Sequence, residues 1–284
     1  MDCGRHTLAE IRDRTYKSLD AWWTVLLVDP LAGRLVCRIA GHRWATPNRL
    51  TALATVLSLT AAACFAGQGR GWLIAGALLF HLGFVADCMD GKIARLTGTG
   101  SLFGAWFDFM SDRLRAVLCA AALMGGQYAR TGQARYLWLA ALVIALDLLR
   151  YLNAGQMARI RAAMRATAPD DAGPAMVSAR VSGPGRLKAA LRRRRIRVHL
   201  VSGIEFQMFV FIVGPLTGWI VGSTLVAGAL LVAFEAHLVR LLWRATRQHA
   251  GRLDPGRAHP VLQAEEPSPY AFPAEPLVAA GRLG

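Results

Sequence analysis

Apolar runs long enough to cross a bilayer recur along this chain, and they restrict its fold more than any other feature. Stretches such as WLIAGALLFHLGFVA and YLWLAALVIALDLL carry at most one Asp, Glu, Lys or Arg each. A hydrocarbon core about 30 Å thick needs about 20 such residues in one helix. Only helices and closed barrels satisfy their backbone in that medium. Candidate spans are residues 48–67, 71–94, 104–126, 135–155, 204–221 and 223–245. With 54% apolar residues in 284, the chain reads as all-α, a polytopic integral membrane protein of about six transmembrane helices. The alternative is a large soluble helical protein, which such uninterrupted runs disfavour.

Four aspartates stand among those spans, in the segment DCMDGKIARLTGTGSLFGAWFDFMSD. Carboxylates beside lipid-buried helices are costly and need a reason. Asp87 and Asp90 are three positions apart, and Asp108 and Asp112 four, so each pair shares one helix face. A Gly-containing turn, LTGTGS, separates the pairs. Two helices joined by it would aim four carboxylates at one point, where like charges repel unless a cation sits between them. An oxygen-only set suits Mg²⁺, Mn²⁺ or Ca²⁺ rather than zinc. Two solvated Asp pairs at helix ends are the plainer alternative.

The eight residues Asp87, Asp90, Gly91, Ala94, Arg95, Gly104, Asp108 and Asp112 match the pattern D-x2-D-G-x2-A-R-x8-G-x3-D-x3-D without gap or substitution. That pattern resembles the signature of the CDP-alcohol phosphatidyltransferases. TPNRLT, residues 46–51, resembles the start of that family's first membrane helix. The resemblance covers roughly residues 45–245 and implies transfer of a phosphatidyl group from a CDP-linked lipid, CDP-diacylglycerol or a relative, to an alcohol acceptor, with release of CMP. It implies Asp87, Asp90 and Asp108 as metal ligands, and Asp112 as general base and further ligand. One or two Mg²⁺ or Mn²⁺ ions would serve, with Ca²⁺ as substitute or inhibitor. Asn48, Thr51, Gly91, Ala94, Arg95 and Gly104 are the CDP-binding candidates. The small residues also suit plain helix packing. A homodimer is typical of the family.

Positive charge is unevenly spread. Eleven Lys or Arg residues lie between Arg159 and Arg197, and far fewer in the connections at 67–71 and 127–135. The positive-inside rule then puts both termini, the basic loop at about 156–203 and all four aspartates on the cytoplasmic side of a cell membrane. A basic run can also signal nucleic acid; an adjacent anionic bilayer is the simpler partner, and no nucleic acid is expected. Arg150, Arg159 and Arg197 are the acceptor candidates, suited to inositol phosphate or glycerol phosphate; positive-inside flanks explain them equally well. Asp147, Glu205 and Glu235 either contact acceptor hydroxyls or pair with Arg150 or Arg240.

Residues 1–45 read as a cytoplasmic amphipathic segment, one or two interfacial helices broken near Pro30, with Trp22 and Trp23 at headgroup depth. A dimer interface is the alternative for it. No cleavable leader is expected from its scattered charges. Residues 46–248 form the membrane domain, and 249–284 a Pro-rich, poorly ordered tail. The five cysteines show no CxxC pair and indicate neither zinc nor a disulfide framework. His81 is expected to bond a neighbouring backbone group rather than line a cavity. Two other function classes compete: a membrane prenyltransferase acting on a prenyl diphosphate, and a non-enzymatic transporter. The D-G-x2-A-R-x8-G frame argues against the first. The concentration of aspartates at one face argues against the second.

Overall fold

The computed structural model of the chain describes residues 2–3, 6–166, 190–191, 193–197 and 201–250. The described residues are mostly helical, with a two-residue antiparallel ladder, Asp2–Cys3 with His6–Thr7, and a single parallel bridge between Asp20 and Ile196. Its helices are α1 (Leu8–Thr15), α2 (Asp29–Ile39, entered through a π-turn at Thr24–Val28), α3 (Pro47–Gly67), α4 (Arg70–Thr97), α5 (Leu102–Thr131), α6 (Arg135–Ala166), α7 (Gly203–Thr217) and α8 (Ile220–Ala250). Much of the expected basic loop and the tail from residue 251 lie outside the described residues.

The fold is an all-α polytopic membrane fold. Helices α3, α4, α6 and α8 are each long and apolar enough to cross a membrane. Helix α5 spans 30 residues but carries Asp108, Asp112, Arg113 and Arg115 in its first half. Helix α7 is a shorter apolar helix. It stops earlier than residue 221 because Gly218 takes a left-handed conformation, φ +77°. Helix α6 runs past residue 155 to Ala166 through good helix formers, QMARIRAAMRA. Leu53, Val56, Trp72, Leu78, Leu82 and Leu230 point outward while Thr51, Asp90, Arg113 and Arg115 are buried. Apolar outside and charged inside is the inverse of a water-soluble protein and suits a lipid solvent.

The chain divides into two units, Met1–Gln156 with Arg180–Arg240, and Met157–Ala179 with Leu241–Gly284. In the first, α3 and α4 run antiparallel in close contact. A Cβ at Gly83 would meet Ser58 Oγ at 2.6 Å, and one at Gly76 would meet Phe65 at 2.6 Å. Small residues about two helical turns apart thus let the backbones approach. Phe65, Phe80 and Phe211 cluster in the interior, with Phe80 and Phe211 ring centroids 4.8 Å apart. In the second unit the described residues are the ends of α6 and α8. They carry Arg159, Arg161, Arg165, Arg244 and Arg247 and no carboxylate.

The amino-terminal segment forms two helices, and they dock onto α4. Ile11, Val28, Ala32 and Val36 are fully buried. Trp23 is also buried, and its ring meets His81 edge-on at 6.2 Å. His81 Nδ1 is buried without a hydrogen-bond partner, so that nitrogen does not make the backbone bond expected of it. Pro30 sits in the first turn of α2, where its missing N–H is harmless, so the helix is entered rather than broken there. Cys37 is disulfide-bonded, against expectation, while Cys64, Cys88 and Cys119 are free.

Candidate active site

The site is assembled where α3 begins, α4 ends and α5 begins. Pro47 opens α3. Gly98, at φ +66°, closes α4. Ser101 caps α5, its Oγ accepting from Gly104 N at 2.9 Å. The short Gly98–Ser101 connection turns α5 back against α3, which also packs on α4, and the two Asp pairs face each other.

Asp87, Asp90 and Asp108 each offer a carboxylate oxygen, and these three oxygens lie within 4.8 Å of one another. Asp90 is buried, and the Thr51 hydroxyl of α3 donates to its Oδ2. Asp108 Oδ1 is buried without a hydrogen-bond partner. Among the described residues, no Lys or Arg pairs with Asp90 or Asp108. Three carboxylates this close, with one oxygen orphaned, repel one another strongly in a medium of low polarity. A hard divalent cation resolves both features, and the donor set is the one such ions take. The residues therefore fit the expected metal.

Asp112 has a different setting. Arg115, buried and three residues on, donates through Nη2 to both Asp87 Oδ1 and Asp112 Oδ1. Asp112 Oδ2 lies 3.8 Å from Arg113 Nη2 and the side chain is one-third exposed. Arg113 in turn bonds the buried Asp147, which also accepts from Gln207 Nε2 at 2.8 Å. The Arg113 guanidinium lies 3.3 Å from the Tyr151 ring centre. Asp147 is thus part of an interior polar network, with Arg113 as its partner rather than Arg150 or Arg240.

The other expected residues fall into two groups. Asn48, Thr51 and Gly104 gather near the carboxylates: a Cβ at Gly104 would come within 3.2 Å of Asn48 Oδ1. Gly91 and Ala94 follow on α4, half-buried, with the Arg95 guanidinium folded back toward Gly91. Arg95 Nε donates to Thr15 O at 2.7 Å, tying the motif to the end of α1. The acceptor candidates are not gathered there. Arg150 pairs with Glu235 at 3.1 Å, Arg197 reaches Asp20 at 3.6 Å, and Arg159 belongs to the second unit. Glu205 accepts from the neighbouring Ser202 hydroxyl.

Sequence reasoning overlooked Arg113 and Arg115. The signal existed, since two arginines within an apolar span call for partners as much as two aspartates do. It also overlooked Lys92, buried on α4 and paired with Asp29 at 2.8 Å. Asp29 holds Arg195 as well, at 3.2 Å. Lys92 and Arg195 lie over the Tyr16 ring at 5.1 and 4.6 Å. Burial, and then the Asp29 carboxylate, push the Tyr16 phenol above its ordinary pKa, and it donates to Asp29 O at 2.8 Å.

Comparison with known proteins agrees with the site. Archaetidylinositol phosphate synthase of Pyrococcus horikoshii is 38% identical over 82 residues, which are 28% of this chain and 42% of that protein. The chain therefore aligns with less than half the length of that curated relative. Residues 44–191, just over half of the chain, match the CDP-alcohol phosphatidyltransferase family, and they include all eight motif positions and their flanking helices. The chain belongs to the CDP-alcohol phosphatidyltransferase family.

Proposed function

We propose that this protein transfers a phosphatidyl group from CDP-diacylglycerol, or a related CDP-lipid, to the hydroxyl of an alcohol and releases CMP. The convergence of Asp87, Asp90 and Asp108, with Asp108 Oδ1 unpartnered, carries the reading. These three residues would hold one or two Mg²⁺ or Mn²⁺ ions. When bound, such ions neutralise the diphosphate and stabilise charge on departing CMP. Thr51 orients Asp90 through its hydroxyl. Asn48 and Gly104, side by side, border the space for the nucleotide, and the small Gly91 and Ala94 let it near the α4 backbone. Arg95 is the motif cation for the diphosphate, on release from Thr15 O. Asp112 accepts the proton of the acceptor hydroxyl as that oxygen bonds to the lipid-linked phosphorus and the bond to CMP breaks. Arg115, bonded to Asp87 and Asp112 together, fixes the base relative to the ligand set.

Inositol phosphate is the acceptor favoured by the name of the Pyrococcus relative. Glycerol phosphate is the other phosphorylated polyol to test. The reaction takes place at the cytoplasmic face of the cell membrane, within a domain of residues 46–248. The resemblance adds a homodimer, which cross-linking in native membranes tests.

The deciding experiment supplies purified protein with CDP-diacylglycerol, Mn²⁺ or Mg²⁺, and a panel of alcohols, and follows CMP. Release with inositol phosphate is expected. No CMP with any alcohol, together with consumption of a prenyl diphosphate, overturns the assignment.

A further inference from the structure

We propose that the end of the bundle opposite the aspartates holds a second binding site. Its ligand is a phosphate-bearing anion, either the head group of an anionic phospholipid or the same group free in solution. The α3–α4, α5–α6 and α7–α8 connections meet there around a cavity of about 550 Å³. Arg70, Arg130 and Arg135 line it with Gln68 and Gln127, and no Asp or Glu does. Among the described residues, none of the three arginines forms an ion pair. Arg70 donates to Pro215 O at 3.3 Å and to Leu216 O. Arg130 donates to Gln127 Oε1 at 3.3 Å, and Arg135 faces the Tyr136 ring at 5.1 Å. Each guanidinium has five N–H groups, so most of these donors are uncommitted.

The lining is built for these side chains. Gly218 is left-handed, and a Cβ there would come within 3.3 Å of Arg70 Nη1. A Cβ at Gly222 would fall 1.9 Å from the Trp219 ring, and one at Gly126 would fall 2.3 Å from the Gln68 amide. Gln68 itself holds φ +59°, a conformation unfavourable for a residue with a side chain. Gly218 thus makes room for Arg70, and Gly222 and Gly126 make room for Trp219 and Gln68 of the same lining.

The site is remote from the aspartates. Arg70 and Asp87 are separated by most of α4, about 26 Å at 1.5 Å per residue. On the orientation proposed above, the arginines also lie on the side where the positive-inside rule makes them scarce. All three arginines are exposed, so an anion can reach their uncommitted N–H groups. Phosphate oxygens match the planar guanidinium fork. Trp219 and Tyr136, in the same lining, are of the type that settles at headgroup depth.

Native mass spectrometry of the full-length protein in neutral detergent tests this, with phosphatidylglycerol, phosphatidylcholine or inorganic phosphate added. Phosphatidylglycerol should reach half-occupancy at a concentration at least about tenfold lower than phosphatidylcholine, the preference expected of a charge-assisted site. The Arg130→Gln/Arg135→Gln variant should lose that preference and keep wild-type CMP release. Arg244→Gln/Arg247→Gln, with the same change in net charge, should keep it. Binding of inorganic phosphate alone, lost in the first variant, supports the site and assigns a soluble anion. Binding in the first variant equal to wild type, or equal loss in both variants, overturns the proposal.

Discussion

Asp90 and Lys92 stand two residues apart on α4, and both are about 5% exposed, yet their surroundings are opposite. Lys92 is matched: Asp29 meets it at 2.8 Å and also holds Arg195. Asp90 has no counter-charge, facing Asp87 and Asp108 with the Thr51 hydroxyl donating to it. A buried charge with its counter-charge beside it serves the fold, here by docking the amino-terminal segment onto α4. Buried like charges without one are kept only where something else supplies the opposite sign. The contrast separates structure from chemistry on a single helix, and each half can be attacked independently.

The largest effect falls on the chemical step. Asp112→Asn removes the proton acceptor while leaving its contact with Arg115 largely possible. Turnover should drop by about 10²–10⁴-fold, with CDP binding retained. Full activity in a CMP assay would remove Asp112 as the base. Asp87→Asn should instead weaken the metal itself by more than about 100-fold, since even outer-shell losses cost 10–100-fold. Calorimetry with Mn²⁺ and CDP measures this, and unchanged affinity would break the unmatched half of the comparison.

On the matched side, Lys92→Met strands Asp29 with only Arg195 and should cost about 3–5 kcal/mol of stability. The thermal midpoint should fall while CMP release per folded molecule stays near wild type. Adding Asp29→Asn should restore part of the loss, because it removes the stranded charge. A loss of activity without a loss of stability would put Lys92 in the chemistry. The smallest effect is that of Thr51→Val, which deletes the hydroxyl on Asp90 and should reduce metal affinity or activity by about 10–100-fold. If excess Mn²⁺ restores its rate, Thr51 acts through metal affinity.

The four aspartates were legible because their information is local. Spacings of three and four residues fix a shared helix face, and a Gly-containing turn brings the second pair back to the first. Thr51 could be singled out only through the family resemblance, and nothing in its own neighbourhood gives Asp90 as its partner. Arg115 shows a different gap. Three residues after Asp112, it shares that aspartate's helix face, but its second partner, Asp87 on α4, is supplied by tertiary packing. Arg150 and Arg197 each lie beside a carboxylate, Glu235 and Asp20, in pairings between residues far apart in the chain.

The amino-terminal segment repeats the lesson. Its amphipathic helices could be read from periodicity. Their docking could not, because it rests on Lys92–Asp29 and Asp29–Arg195, pairs separated by tens to well over a hundred residues. What the sequence determined by itself was the solvent, the helices and the presence of a carboxylate cluster, since transfer free energy and helical period act over a few turns. Which charges are matched, and which are not, was decided by tertiary packing. The Coulomb energy of a buried group is set by its neighbours in space, and a chain bound to membrane helices brings those neighbours from distant parts of itself.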